Sequence, residues 1–146
     1  MAIQLFTIGF TQKNAEKFFS LLRHARIRRV LDIRLNNVSQ LAGFTKRDDL
    51  KFFLREICSA DYRHLPEAAP SDEILDEFKK NGGSWESYVK RFLPLIQARR
   101  IETILTPDVL DYGCLLCSEP TPEKCHRRLV AEYLKERIGG LIIKHL

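Results

Sequence analysis

The chain has 146 residues, 45% of them hydrophobic and 29% charged, the size and balance of one globular domain with a real core. It has no apolar run near the ~18 residues that a membrane span requires, and Met1-Ala2-Ile3-Gln4-Leu5-Phe6 lacks the basic start and cleavage site of a secretory leader. A single cytoplasmic domain with no membrane partner is expected. A net charge of +5 favours anionic ligands, but basic and acidic residues are interspersed, so nucleic acid is compatible with the charge without being indicated by it. The four cysteines, Cys58, Cys114, Cys117 and Cys125, are expected to be reduced thiols, since a chain of this size does not depend on disulfide staples.

Ile3 to Ile8 reads as a strand rich in β-branched and aromatic residues, broken by Gly9, with Thr11 as the expected cap of the following helix. In that helix Phe18, Leu21, Leu22 and Ala25 fall on one face. A second strand is expected over 29–34. Asn36 to Phe44 has turn formers and no sustained period, which reads as a functional loop or lid. Helical spacing resumes over 47–57, a short strand is expected over 62–65, and Ser71 and Ser84 are placed to cap two more helices. The stripe Trp85, Tyr88, Val89, Phe92 and Ile96 reads as core. Pro107 argues against one continuous element over 101–111.

Gly113 to Cys117 is short and uniformly apolar, the pattern of a parallel strand covered on both faces. A helix capped by Thr121 with Pro122 at its first position is expected next, buried through Leu129, Val130, Tyr133, Leu134 and Ile138. Gly139-Gly140 stops it before a last strand over 141–146. Strands alternating with helices imply a single three-layer α/β domain with a mostly parallel sheet flanked by helices.

The stretch from Cys114 to Arg128 sets thiols, a carboxylate, an imidazole and guanidinium groups around one strand-to-helix turn. In open parallel sheets, ligands bind beyond the carboxyl ends of the strands. Thr7 and Gly9, Asp32 and Arg34, and Cys117 and Glu119 are therefore expected to meet there, facing Cys125, His126 and Arg127. In the sharpest chemical reading, His126, Arg127 and the helix end activate Cys117 as a nucleophile, with Glu119 as proton donor or water activator. Asp32 would serve as base or ligand anchor and Arg34 as an anion clamp. Two other readings stay open: a metal site using Cys117, Cys125, His126 and Asp32, and a Cys117–Cys125 redox pair. The structural alternative makes both cysteines small buried hydrophobes, His126 a core histidine, and Asp32 and Arg34 an ion pair. Neither a cofactor nor an oligomeric state is legible. Arg128 aligns with Lys124, Glu132 and Lys135 on the wet side of its helix, so Arg127 is the stronger candidate.

Thr7-Ile-Gly9, Asp32-Ile-Arg34, Leu115-Leu-Cys117-Ser-Glu119 and Cys125-His126-Arg127 together resemble the motifs of the domain of unknown function 488 family, over nearly the whole chain. The resemblance implies a compact α/β domain with these motifs gathered in one pocket, and brings no established activity. Where members often have His-Ser after the first motif, this chain has Phe10 and Thr11. Asn36-Asn37-Val38-Ser39 and Ala68-Ala69-Pro70 also depart from the common pattern and mark a distinct subgroup.

Overall fold

A computed structural model of the chain describes residues 2–38 and 43–146. Part of the loop expected over 36–44 lies outside the described residues. Five strands, β1 (Ile3–Gly9), β2 (Arg29–Asp32), β3 (Asp61–His64), β4 (Gly113–Cys117) and β5 (Leu141–His145), form one sheet in the order β3-β2-β4-β1-β5. Every pairing is parallel. The helices are α1 (Ala15–His24), α2 (Arg47–Phe53), α3 (Asp72–Lys79), α4 (Trp85–Ala98), α5 (Pro107–Leu110) and α6 (His126–Arg137). No helix among the described residues is long and apolar enough to cross a membrane.

Because side chains alternate across a strand, the sheet serves two cores. Phe6, Ile8, Val30, Cys114 and Leu116 face Phe18, Phe19 and Leu22 of α1 and Leu50 of α2. Leu5, Leu31, Leu115 and Leu141 face the opposite layer, built from Ile74, Tyr88, Phe92, Ile96 and the α6 residues Leu129, Val130 and Leu134. The expected three-layer arrangement is therefore present. Cys114 and Cys117, three apart, look to opposite faces.

The chain leaves β2 toward β3 at one edge and leaves β4 toward β5 at the other, yet β2 and β4 are neighbours. Connections that diverge from adjacent strands open a crevice at their carboxyl ends, and this is where α/β sheets hold ligands.

Two helix starts differ from expectation. Asn14, not Thr11, caps α1, its side chain accepting from the Lys17 amide at 2.8 Å. Thr11 instead sends its amide (3.1 Å) and its hydroxyl to the Ser118 carbonyl, stitching the loop after β1 to the loop after β4. α6 begins at His126 with Cys125 as its N-cap, not at Pro122. The intervening turn is folded back onto the sheet by Arg127, whose Nη1 donates to the Glu119 carbonyl at 2.7 Å. That tertiary tether prevails over the local start signal of Thr121-Pro122. Elsewhere Ser71 and Ser84 cap α3 and α4 through the amides of Ile74 and Ser87, and 101–111 divides into a short 3-10 turn and α5.

Candidate functional site

The divergence of β2 and β4 opens a cleft of about 200 Å³. Five of the residues singled out by sequence line it: Arg34, Cys117, Glu119, Cys125 and His126. Four others, Asp32, Thr7, Gly9 and Arg127, stand behind that lining and act on it through contacts. Phe78, Lys79, Tyr88 and Lys124 are among the other residues of its walls.

Asp32 and Arg34 project to the same side of the sheet end and pair bidentately: Arg34 Nε and Nη2 each donate to a carboxylate oxygen at 2.8 Å. Asp32 is fully buried and Arg34 3% exposed, so neither charge is tolerable without the other. Tyr62, from β3 opposite Val30, donates its hydroxyl to Asp32 Oδ2 at 2.5 Å and accepts from Asn37 Nδ2 at 3.1 Å. Burial, and after it the Asp32 carboxylate, hold that phenol far above the usual tyrosine range. Arg34 Nη2 also reaches the Thr45 carbonyl at 2.7 Å, and His64 Nε2 bonds the Arg34 carbonyl at 2.9 Å. These bonds fix Arg34 in one wall of the cleft.

The opposite wall comes from the β4–α6 turn. The sulfur atoms of Cys117 and Cys125 are joined across it as a disulfide with Cα atoms 7.5 Å apart, which departs from the expectation of reduced thiols here. Disulfides ordinarily hold their Cα atoms within about 4.4–6.8 Å, and wider pairs need backbone movement to close. At 7.5 Å the backbone also suits the reduced form of the pair, two facing thiols. Arg127, only 1% exposed, donates from Nη1 to Cys117 Sγ at 3.0 Å and to Cys125 Sγ at 3.7 Å. Its Nε donates to Thr7 Oγ1 at 3.2 Å. No carboxylate pairs with Arg127 among the described residues, and burial lowers its pKa against the opposing pull of Cys114, Glu119 and Glu123. Arg128 lies on the wet side, 3.6 Å from Glu132.

Gly9, paired with Cys117 in register, has a steric reason to be glycine. A Cβ there would lie 1.6 Å from the Glu119 carbonyl oxygen and 2.7 Å from Arg127 Nη1. The close approach that seats the turn needs a strand residue without a side chain.

His126 points its ring at the end of β2, Nε2 donating to the Ile33 carbonyl at 2.6 Å, and packs edge-on against Phe92. Ring burial is the main cause that takes its pKa down to about 4, with Arg127 adding to it and the carbonyl opposing. At neutral pH it is a neutral imidazole, and with Nε2 protonated the basic nitrogen is Nδ1. Glu119 makes a half-exposed ion pair with Lys79 at the rim. The Tyr88 phenol, pushed far up by burial and then by Glu119, stays protonated. Cys114 and Cys58 are also held as thiols, both chiefly by burial.

Four contributors were not legible beforehand. Lys79 ends a helix far away in sequence, and Tyr88 belongs to a stripe whose period is fully explained by core packing. Tyr62 and His145 had a signal in strand register: Tyr62 sits beside Val30 and His145 beside Thr7, so each is next to a motif strand. Among the described residues no three His, Cys, Asp or Glu side chains converge as a metal site.

The family model described as "Domain of unknown function DUF488" matches residues 14–134. No curated protein and no solved structure matches the chain.

Proposed function

The chain belongs to the DUF488 family, and for it we propose a thiol-dependent active site in the β2/β4 cleft that acts on a small anionic substrate. Cys117 is the nucleophile and works as a thiolate. The observation that carries this reading is Arg127, a buried guanidinium without a carboxylate partner among the described residues, set 3.0 Å from Cys117 Sγ. A buried ion left unpaired costs several kcal/mol. Opposite unit charges ~4 Å apart attract by about 4 kcal/mol at an effective dielectric constant of ~20, so a Cys117 thiolate and Arg127 offset one another's burial. Of the groups expected to activate Cys117, which are His126, Arg127 and the helix end, the guanidinium is the one set against the sulfur.

The remaining residues then take roles that suit their chemistry. Lys124 and Arg34 attract and orient an anion, and Phe78 and Tyr88 present an aromatic wall that accommodates a nucleotide base as readily as another planar group. Sulfur attack on an electrophilic centre of the substrate forms a bond to Cys117 and expels a leaving group. Water, deprotonated by neutral His126 or by Glu119, completes hydrolysis, and an acceptor other than water gives transfer. The pairing of Cys117 with Cys125 favours a second reading, in which the substrate is itself a two-electron oxidant: Cys125 attacks the Cys117 sulfur of the adduct, the disulfide forms, and the substrate group leaves with the electron pair of the broken bond to sulfur, reduced by two electrons.

The experiment is alkylation of the reduced protein with iodoacetamide at neutral pH, quantified at each cysteine by peptide mass spectrometry. Cys117 is expected to react at least about tenfold faster than Cys58, as a thiolate against a thiol, and to be protected by a bound anion. Equal, sluggish rates at the two cysteines would overturn the proposal.

A further inference from the structure

We propose that His145, on the edge strand β5, is a positioning residue for the thiol site, acting through Thr7 on Arg127; the inference rests on the proposed role of Cys117. The chain of contacts is short and runs through four elements, β5, β1, α6 and β4. His145 Nδ1 lies 2.5 Å from Thr7 Oγ1, and Arg127 Nε lies 3.2 Å from that same oxygen. Arg127 then reaches Cys117 and Cys125 through Nη1. His145 belongs to the last strand, opposite Thr7 in the β1–β5 register, and lies outside the residues that the family model matches.

Hydrogen-bond accounting fixes the direction of this relay. A guanidinium can only donate, so Thr7 Oγ1 accepts from Arg127 Nε. Thr7 is fully buried, and a buried hydroxyl hydrogen requires an acceptor. Among the described residues its partner able to accept is His145 Nδ1. The imidazole is therefore the Nε2–H tautomer with its Nδ1 lone pair toward Thr7, and the threonine oxygen is turned with its own lone pair toward Arg127. Burial lowers the pKa of His145, and Arg127 lowers it further, in keeping with a neutral ring. The charged groups around it are Arg127, Arg128, Glu123 and Glu132.

With Nδ1 removed, the Thr7 hydroxyl loses its acceptor and the orientation that serves Arg127 Nε. The guanidinium is then held by its Nη1 contacts to the Glu119 carbonyl and the two sulfurs, without the Nε anchor that sets its angle, and its hold on the Cys117 thiolate loosens. His145 itself is exposed and its strand pairing is made by the backbone, so its side chain can be exchanged without emptying the core.

The test is the pH dependence of Cys117 alkylation in the reduced full chain, with iodoacetamide as the probe, for the parent protein and for His145→Ala, His145→Asn and His145→Gln. An asparagine carbonyl oxygen stands where Nδ1 stood, while a glutamine carbonyl reaches toward the Nε2 position. Ala and Gln are expected to raise the midpoint by about one pH unit, a tenfold lower thiolate fraction at neutral pH, and Asn is expected to restore it. A purely structural histidine would not separate Asn from Gln. An unchanged midpoint in the Ala variant overturns the relay while leaving the nucleophile in place, as does an Asn variant that behaves like Ala. A parent midpoint at the ordinary thiol value overturns both the relay and the thiolate it serves.

Discussion

Replacing Gly9 with alanine tests whether the turn that carries the thiols is seated as described. A real Cβ essentially never lies within 3.0 Å of another heavy atom, so the Glu119 carbonyl would have to retreat by about 1.4 Å from its 1.6 Å position. The obstacle is backbone on a turn tied to the loop after β1 through the Thr11 amide and to α6 through Arg127, so it cannot swing aside as a side chain would. Overpacking costs about 1–3 kcal/mol, and losing the charged hydrogen bond from Arg127 to that carbonyl adds about 1.5–3 kcal/mol. A net loss of about 3–5 kcal/mol is expected. Urea unfolding at neutral pH measures it, and at about 2–4 °C per kcal/mol the melting temperature should fall by about 6–20 °C. A loss below about 1 kcal/mol would refute the tight apposition of Gly9 and Glu119, and with it the placement of Arg127.

Three further outcomes follow from the site. The neutral, buried His126 contributes stability that is complete above the unfolded pKa of 6.5 and is lost as pH falls toward its folded value of about 4. This loss amounts to about 3 kcal/mol at pH 4. Urea midpoints at pH 7 and pH 4 should show that increment in the parent chain and lack it in His126→Gln. Asp32→Asn leaves Arg34 buried against a neutral partner and should cost about 3–5 kcal/mol. Adding Arg34→Met should recover part of this, with a coupling of about 1–3 kcal/mol in a double-mutant cycle. Lys79→Met removes only a rim ion pair and should change stability by less than about 1 kcal/mol, while weakening protection of Cys117 by a bound anion, which alkylation in the presence of phosphate reads directly.

Elements with a strong local cause were legible in the sequence. The apolar run of β4, the serine caps of α3 and α4 and the glycine stop after α6 each needed only neighbours in the chain, and together they implied the parallel sheet. The start of α6 was misread because Thr121-Pro122 is a sound local signal that a long-range tether overrides. Arg127 bonding to Glu119 and Gly9 accepting the turn are events between β1, β4 and α6 that no window of sequence contains. The gathering of motif residues was readable as spacing beyond strand ends. Their division into residues that line the cleft and residues that stand behind it was not, because it depends on side-chain direction: Asp32 turns to the α1 layer and Cys117 to the α6 layer. Lys79 and Tyr88 enter the cleft because the layer of α3 and α4 happens to overhang it, for which periodicity has no signature.

The most direct test of the proposed chemistry is the ultraviolet absorbance of thiolate in the reduced protein, followed against pH in the parent chain, in Cys117→Ser and in Arg127→Met. A thiolate present at neutral pH, lost in Cys117→Ser and shifted to higher pH in Arg127→Met, is the predicted result. A parent titration with its midpoint at the ordinary thiol value of about 8.5, unaffected by Arg127→Met, would contradict the pairing of Cys117 with Arg127.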